Sequence, residues 1–216
     1  ATLTFNGGNI ILKSGDHGIE LDDGAVVIND GLIIIEAGDD GFDLGNSNIT
    51  INGGIISIEA DDNGIDVSES YSVTINDGHL SIYADEYNGI ETGDLVITGG
   101  DITINTEYEE GIFAYGVIVI DGGNLMVYAE DYPAIAFGDY ISINNVDDYE
   151  IMEFNDYYVL GFDGTTLNDF EFSPVDGEQK TNIDYLTIEY ANKDKLHIPA
   201  EQINMLCRYR GSGQIK

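Results

Sequence analysis

Residues Ile49 to Val67 read Ile-Thr-Ile-Asn-Gly-Gly-Ile-Ile-Ser-Ile-Glu-Ala-Asp-Asp-Asn-Gly-Ile-Asp-Val. The stretch holds two alternating apolar runs and a third shorter one, separated by a glycine turn and by an acidic turn. Alternation with period two is the pattern of a half-buried strand, not of a helix. Three strands in so short a segment leave no room for helices. None of them can bury its apolar face within the segment.

The same unit recurs in both directions. Its first turn reappears as Asn6-Gly-Gly, Asn29-Asp-Gly, Asn52-Gly-Gly, Asn76-Asp-Gly, Thr98-Gly-Gly, Asp121-Gly-Gly and Asn144-Asn-Val, in steps of 23, 23, 24, 22, 23 and 23 residues. A near-constant period of this length marks a stacked repeat, in which each unit covers the next. The expected fold is an all-β, right-handed parallel β-helix of about seven coils over residues 1–145. Inward columns would include Ile19, Phe42, Ile65, Ile90, Ile112 and Ile135. Glycines at positions 18, 41, 64, 89 and 111 suit either positive φ or close approach between coils. From residues 146 to 179 the period fades and aromatics accumulate, among them Tyr149, Phe154, Tyr157, Phe162 and Phe170. These are expected to cap the open end of the solenoid. Residues 180–216 form a further tail of strand and helix.

Charge divides the chain in the same place. Residues 1–179 carry 37 of the 41 acids against one base, Lys13, while residues 180–216 carry six bases against four acids. So acidic a body repels phosphates, which argues against direct nucleic-acid binding by the β-helix, and attracts cations or basic partners. The single Cys207 excludes an intrachain disulfide. No apolar run approaches the roughly 20 residues of a membrane-spanning helix.

The acids are themselves periodic. Outward positions of the third strand run Glu20, Asp43, Asp66, Glu91, then Phe113 and Ala136. The preceding turns supply Asp39 with Asp40, Asp61 with Asp62, and Asp85 with Glu86. Strands stacked about 4.8 Å apart make neighbours of successive carboxylates. Unit charges so close repel by about 1 kcal/mol in water and by more where solvent is excluded. Such a ladder either holds a cation or stays a solvated acidic face. Ca²⁺, which takes six to eight oxygens in flexible geometry, is the expected ion, with Asp39, Asp40, Asp43, Asp61, Asp62, Asp66, Asp85 and Glu91 as candidate ligands. On the second strand the outward column reads Lys13, Glu36, Glu59, Tyr83, Asn105, Tyr128. Tyr83, Tyr108 and Tyr128 are the candidate sugar-stacking residues, since tyrosine offers an apolar face and a polar tip; edge packing between coils is the other reading. The histidines at 17, 79 and 197 show no partner at metal-ligand spacing and receive no role.

Units of the form Asn-Gly-Gly followed by Asp-Asp-Asn-Gly-Ile-Asp resemble bacterial surface and secreted carbohydrate-binding β-helices of pectate-lyase-like architecture. That resemblance implies binding of acidic or plant-wall polysaccharide with bound calcium, outside the cell or at its surface. A second resemblance lies in Asp184-Tyr185-Leu186, Ile188, Tyr190, Asp194-Lys195-Leu196, Ile198-Pro199, Glu201-Gln202 and Arg208-Tyr209. These residues resemble the end of the CarD-like, RNA-polymerase-interacting domain of transcription-repair coupling factors.

The expected function is therefore a non-catalytic module that binds uronic-acid polysaccharide with the help of calcium. One alternative is a transcription-associated protein that contacts RNA polymerase through residues 183–216. Another is a polysaccharide lyase or hydrolase of β-helix type. A lyase needs a basic proton acceptor, and residues 1–179 offer one lysine and no arginine. An inverting hydrolase needs two carboxylates about 6.5–9.5 Å apart, a spacing that a repeat alone does not fix.

Overall fold

The computed structural model describes residues 1–129, 132, 134–138, 141 and 142 in full, and the backbone of residues 140, 143–146, 148–154, 157–163, 167–168, 172–174, 185–190 and 195–199. The chain winds as a parallel β-solenoid of six complete coils, with no helix among the described residues. The third coil shows the plan. Asn46–Ile51 is its first strand, Ile55–Ala60 its second and Ile65–Val67 its third. Each strand pairs in parallel with its equivalents in the coils on either side, so Ile49 lies opposite both Val26 and Val73, Ile58 opposite Ile35 and Ile82, and Ile65 opposite Phe42 and Ile90.

Alternation within each strand decides which side chains meet inside. Ile49, Ile51, Ile56, Ile58, Ile65 and Val67 are all at most 2% exposed and form one continuous core with their equivalents in neighbouring coils, while in the first coil Phe5, Ile10, Leu12 and Leu21 are only partly buried. Burying each isoleucine contributes roughly 1.5–3 kcal/mol, and this offsets the entropy of ordering a helix-free chain. The predicted column Phe42, Ile65, Ile90, Ile112 and Ile135 is fully buried, and Ile19 at its N-terminal end is half-buried.

Two departures from the simple repeat stand out. In the first two coils the first and second strands run together as Thr2–Ser14 and Asp23–Ala37, joined through a register shift at Phe5 and Asn6, so two faces of the solenoid belong to one sheet. Beyond the sixth coil the stacking continues in backbone register: Tyr140–Val146 pairs with the coil before it, Leu167–Asn168 with the second strand of coil six and Phe172–Pro174 with the third. Between them stands an antiparallel hairpin, Asp148–Phe154 with Tyr157–Asp163. Apart from such strand traces, the expected cap and C-terminal tail lie outside the described residues.

The glycine column resolves to close approach. Gly54, Gly78, Gly100 and Gly123, at the corner between first and second strands, have φ between 87 and 108°. Gly18, Gly41, Gly64 and Gly89 do not. A Cβ on Gly64 would lie 2.6 Å from the carbonyl oxygen of Gly89, so bare backbone is needed for coils to touch at that corner.

At the corner after the first strand, side-chain amides stack. Asn29 Nδ2 donates to Asn6 Oδ1 (2.7 Å), Asn52 to Asn29 (2.9 Å) and Asn76 to Asn52 (2.8 Å), and Thr98 Oγ1 donates to Asn76 (2.9 Å). The recurring asparagine is therefore an architectural ladder.

Candidate functional site

The outward side of the third strands carries the acids in the expected register. Glu20 lies opposite Asp43, Asp43 opposite Asp66, Asp66 opposite Glu91, and Glu91 opposite Phe113. Three consecutive coils thus bring Asp43, Asp66 and Glu91 into one row. Burial, together with the charges of Glu91, Asp40 and Asp43, pushes Asp66 up to about 7. The row is more negative than its surroundings can accommodate.

Beside it runs a second, more buried column, made by the residue just before each glycine: His17, Asp40, Asn63, Asn88 and Glu110. Asp40 is 7% exposed, and its Oδ1 accepts from the backbone N–H and side-chain amide of Asn63 at 2.9 and 3.0 Å. Asn63 Oδ1 in turn accepts from the N–H of Asn88 at 3.0 Å. Burial raises Asp40 above the usual carboxylate range despite these bonds. At the next coil the pattern changes. Glu110 takes its own backbone N–H, and burial with the charge of Glu109 pushes it up to about 7. Asn88 Oδ1 is then buried without a hydrogen-bond partner, while its Nδ2 donates to Glu91 Oε2 at 3.0 Å.

His17, which has no visible partner in the linear sequence, is corrected by the coil that follows it. Its Nδ1 lies 3.2 Å from Asp40 Oδ2, and its Nε2 lies 3.5 Å from Asp43 Oδ2 and 3.7 Å from Asp16 Oδ1. Burial favours the neutral imidazole, but Asp43, Asp40, Asp16 and Asp39 outweigh it and raise its pKa. Ligand atoms of His17, Asp40 and Asp43 fall within 4.8 Å of one another, as do those of Asp16, His17 and Asp39. Most donors here are carboxylate oxygens, the chemistry of a hard cation, and one imidazole nitrogen joins them at the N-terminal end.

The eight predicted metal ligands do not form one site. Asp40, Asp43, Asp66 and Glu91 share the third-strand side. Asp39 and Asp62 sit together at the preceding corner, where the N–H of Asp62 donates to the carbonyl of Asp39 and the neighbouring Asp16 carboxyl raises Asp39 above the usual carboxylate range. Asp61 turns to the second-strand side, where it lines a cleft with Lys13, Glu36 and Glu59 that the Lys13–Glu36 ion pair crosses. Asp85 belongs with Asp61: burial first, then Glu107 and Asp61, raise its pKa.

The predicted tyrosines are exposed, Tyr83 by 37%, Tyr108 by 55% and Tyr128 by 45%. Tyr83 and Tyr128 share the second-strand face, but Asn105 lies between them in register, so they stand about 9.6 Å apart. The Tyr83 hydroxyl bonds Glu107, which pushes Tyr83 up to about 12.

Another pair of tyrosines meets the acids directly. Five residues, Ser68 to Ser72, carry the chain from the third strand of coil three to Val73, whereas only Gly93 and Asp94 join Thr92 to Leu95 in the next coil. The longer corner overhangs the shorter one, and a Cβ on Gly93 would collide with the carbonyl oxygens of Glu69 and Tyr71. The step leaves an open groove of about 580 Å³ lined by Asp66, Glu69, Tyr71, Glu91 and Tyr115, among others. Tyr115 is fixed: its hydroxyl donates to Glu91 Oε1 at 2.7 Å, and its ring meets Phe113 edge-on at 4.9 Å and 82°. Burial and that hydrogen bond push Tyr115 up to about 12, so it stays a neutral donor. A constant-period reading passes over Tyr71 and Glu69. Their signal in the sequence is the stutter of the repeat, 24 residues and then 22.

Fold and face together define a β-solenoid with an acidic, tyrosine-bounded side. Residues 1–92, the first four coils, match a family model described as carbohydrate-binding domain-containing protein. Residues 171–210 match the CarD-like/TRCF RID domain. No curated protein and no solved structure matches the chain. The first match supports a carbohydrate-binding role for the coils that hold the acidic row; most of the second falls outside the described residues. Among the described residues no helix is long and apolar enough to cross a membrane.

Proposed function

We propose that the solenoid is a non-catalytic carbohydrate-binding module whose acidic row takes up calcium and, through it, the carboxylates of a uronic-acid polysaccharide. The observation that carries this reading is the unbroken register of Asp43, Asp66 and Glu91 with Asp40 alongside. Hard oxygen donors stand one per coil along that row, and at Asp66 burial first, then the charges of Glu91, Asp40 and Asp43, raise the pKa to about 7, a cost that a bound cation offsets. Calcium left with open positions bridges a protein of net charge -34 to an acidic sugar that bare carboxylates would repel. Asp39 and Asp62 at the corner, with Asp61 and Asp85 on the far side, serve as outlying cation contacts. Tyr83, Tyr108 and Tyr128 stack on neutral faces of the sugar. Such a ligand places the protein outside the cell or at its surface.

The test is calorimetric titration of EDTA-treated protein with galacturonic acid oligomers, with and without millimolar calcium. Binding that appears with calcium and is lost in Asp43→Asn/Asp66→Asn supports the reading. Equal affinity in EDTA, or no rise in melting temperature when calcium is added, overturns it.

A further inference from the structure

The groove beside the acidic row has a different chemistry from the row itself. Asp66, Glu69 and Glu91 line it with two tyrosines, Asn46, Ser68 and Ser70, and among the described residues no lysine, arginine or histidine does. Glu69 belongs to the overhanging corner and lies outside the stacked columns. Positive charge is what the lining lacks. Glu91 receives one hydrogen bond from Tyr115 and one from Asn88, both neutral donors that leave its charge uncompensated. Carboxylates gathered without a counter-charge disfavour one another's ionised forms. A ligand that brings N–H donors and a positive charge is therefore the complement of this groove.

The walls narrow the choice further. Tyr115 is held by Glu91 and by Phe113, so its ring is preorganised and a flat apolar face can pack on it at little entropic cost. Tyr71 lines the same groove from the overhanging corner. An aromatic wall beside carboxylates suits a pyranose ring that carries an ammonium group.

We propose that this groove binds a sugar bearing a free amino group, a hexosamine that is not N-acetylated, directly and without metal. The proposal rests on the carbohydrate-binding reading and adds a second ligand class at a neighbouring position. Glu69 and Glu91 accept the ammonium, and Tyr115 packs on the ring. N-acetylation abolishes the charge and two of the three N–H donors, so the acetylated sugar is the natural negative control.

The experiment titrates the whole chain in EDTA, near neutral pH, with the fully deacetylated glucosamine trimer and with its N-acetylated counterpart. Glucosamine binds at least about tenfold more tightly than the acetylated sugar, the difference expected for one charge-assisted hydrogen bond. Glu69→Gln, with an unchanged melting curve, weakens glucosamine binding by about the same factor. Tyr115→Phe keeps the ring and weakens binding less than Tyr115→Ala. Asp77→Asn is the control for diffuse attraction: Asp77 is on another corner, where its Oδ1 accepts the N–H of Gly78, a bond that asparagine keeps. Equal binding of the two trimers overturns the proposal. So does an Asp77→Asn effect as large as that of Glu69→Gln, because the attraction is then nonspecific. Calcium-dependent galacturonate binding, measured in parallel, separates the two readings. If galacturonate binds and glucosamine does not, this inference falls alone; if the reverse holds, the calcium reading falls alone.

Discussion

Asp66 and Glu110 are held near neutrality by their surroundings, and this has a direct thermodynamic consequence. Both rise from ordinary values of 3.8 and 4.5 to about 7, chiefly through burial. Between those limits the folded chain keeps protons that the unfolded chain has released, so native protein binds more protons and stability falls as pH rises. In EDTA the urea midpoint should decline from about pH 4.5 to pH 7 and then level off as these two groups finish titrating. Asp66→Asn and Glu110→Gln should each flatten part of that decline. A midpoint that climbs across the same window would show that the two carboxyls are not buried as described. His17 adds to the decline in the same sense, since its raised pKa lets the folded chain hold the imidazolium proton against Asp40 and Asp43 at a pH where the unfolded chain has released it.

At the scale of elements, the asparagine ladder separates architecture from function. Asn52 donates to Asn29 and accepts from Asn76, so Asn52→Ala breaks two side-chain bonds at once. A loss of about 1–3 kcal/mol is expected, read as a shift in the urea midpoint with no change in sugar binding. Reduced sugar affinity at unchanged stability would instead make the ladder part of the binding face. The strands themselves were legible in the sequence because stacking imposes a period on both the apolar and the acidic residues. Ile65 and Asp66 each predict their neighbours one coil away, and the register confirms them. The groove was not legible in the same way, since it arises where the corner from Ser68 to Ser72 is longer than the one at Gly93 and Asp94. That feature is a difference between coils, and a reading built on what coils share averages it away. His17 was missed for a related reason: its partners, Asp40 and Asp43, come from the following coil. Aligning it with Asp40 in the column before each glycine would have found them.

At the scale of the whole stack, each complete coil pairs, among the described residues, with the coils before and after it, through short parallel ladders such as Ile56–Leu80 and Ile65–Ile90. Contacts of this kind make stability a sum over units and their interfaces. The first two coils are the exception, because Thr2–Ser14 and Asp23–Ala37 pass the corner unbroken and pair along almost their full length. Cation binding between coils two, three and four would tie together the segment that follows this reinforced start. The stack also has a mechanical consequence. Drawn out from its C-terminal side, it should yield coil by coil, each step releasing about 23 residues, roughly 80 Å of extended chain. The force trace would then be a regular sawtooth, with its highest peak when the doubled strands of the first two coils part. One featureless rupture would mean that the coils fail together and that neighbour contacts alone do not describe their cohesion. A polymer fixed along the acidic side would bear part of that load, so the same sawtooth, recorded with and without bound glycan, doubles as a gauge of how many coils the sugar spans.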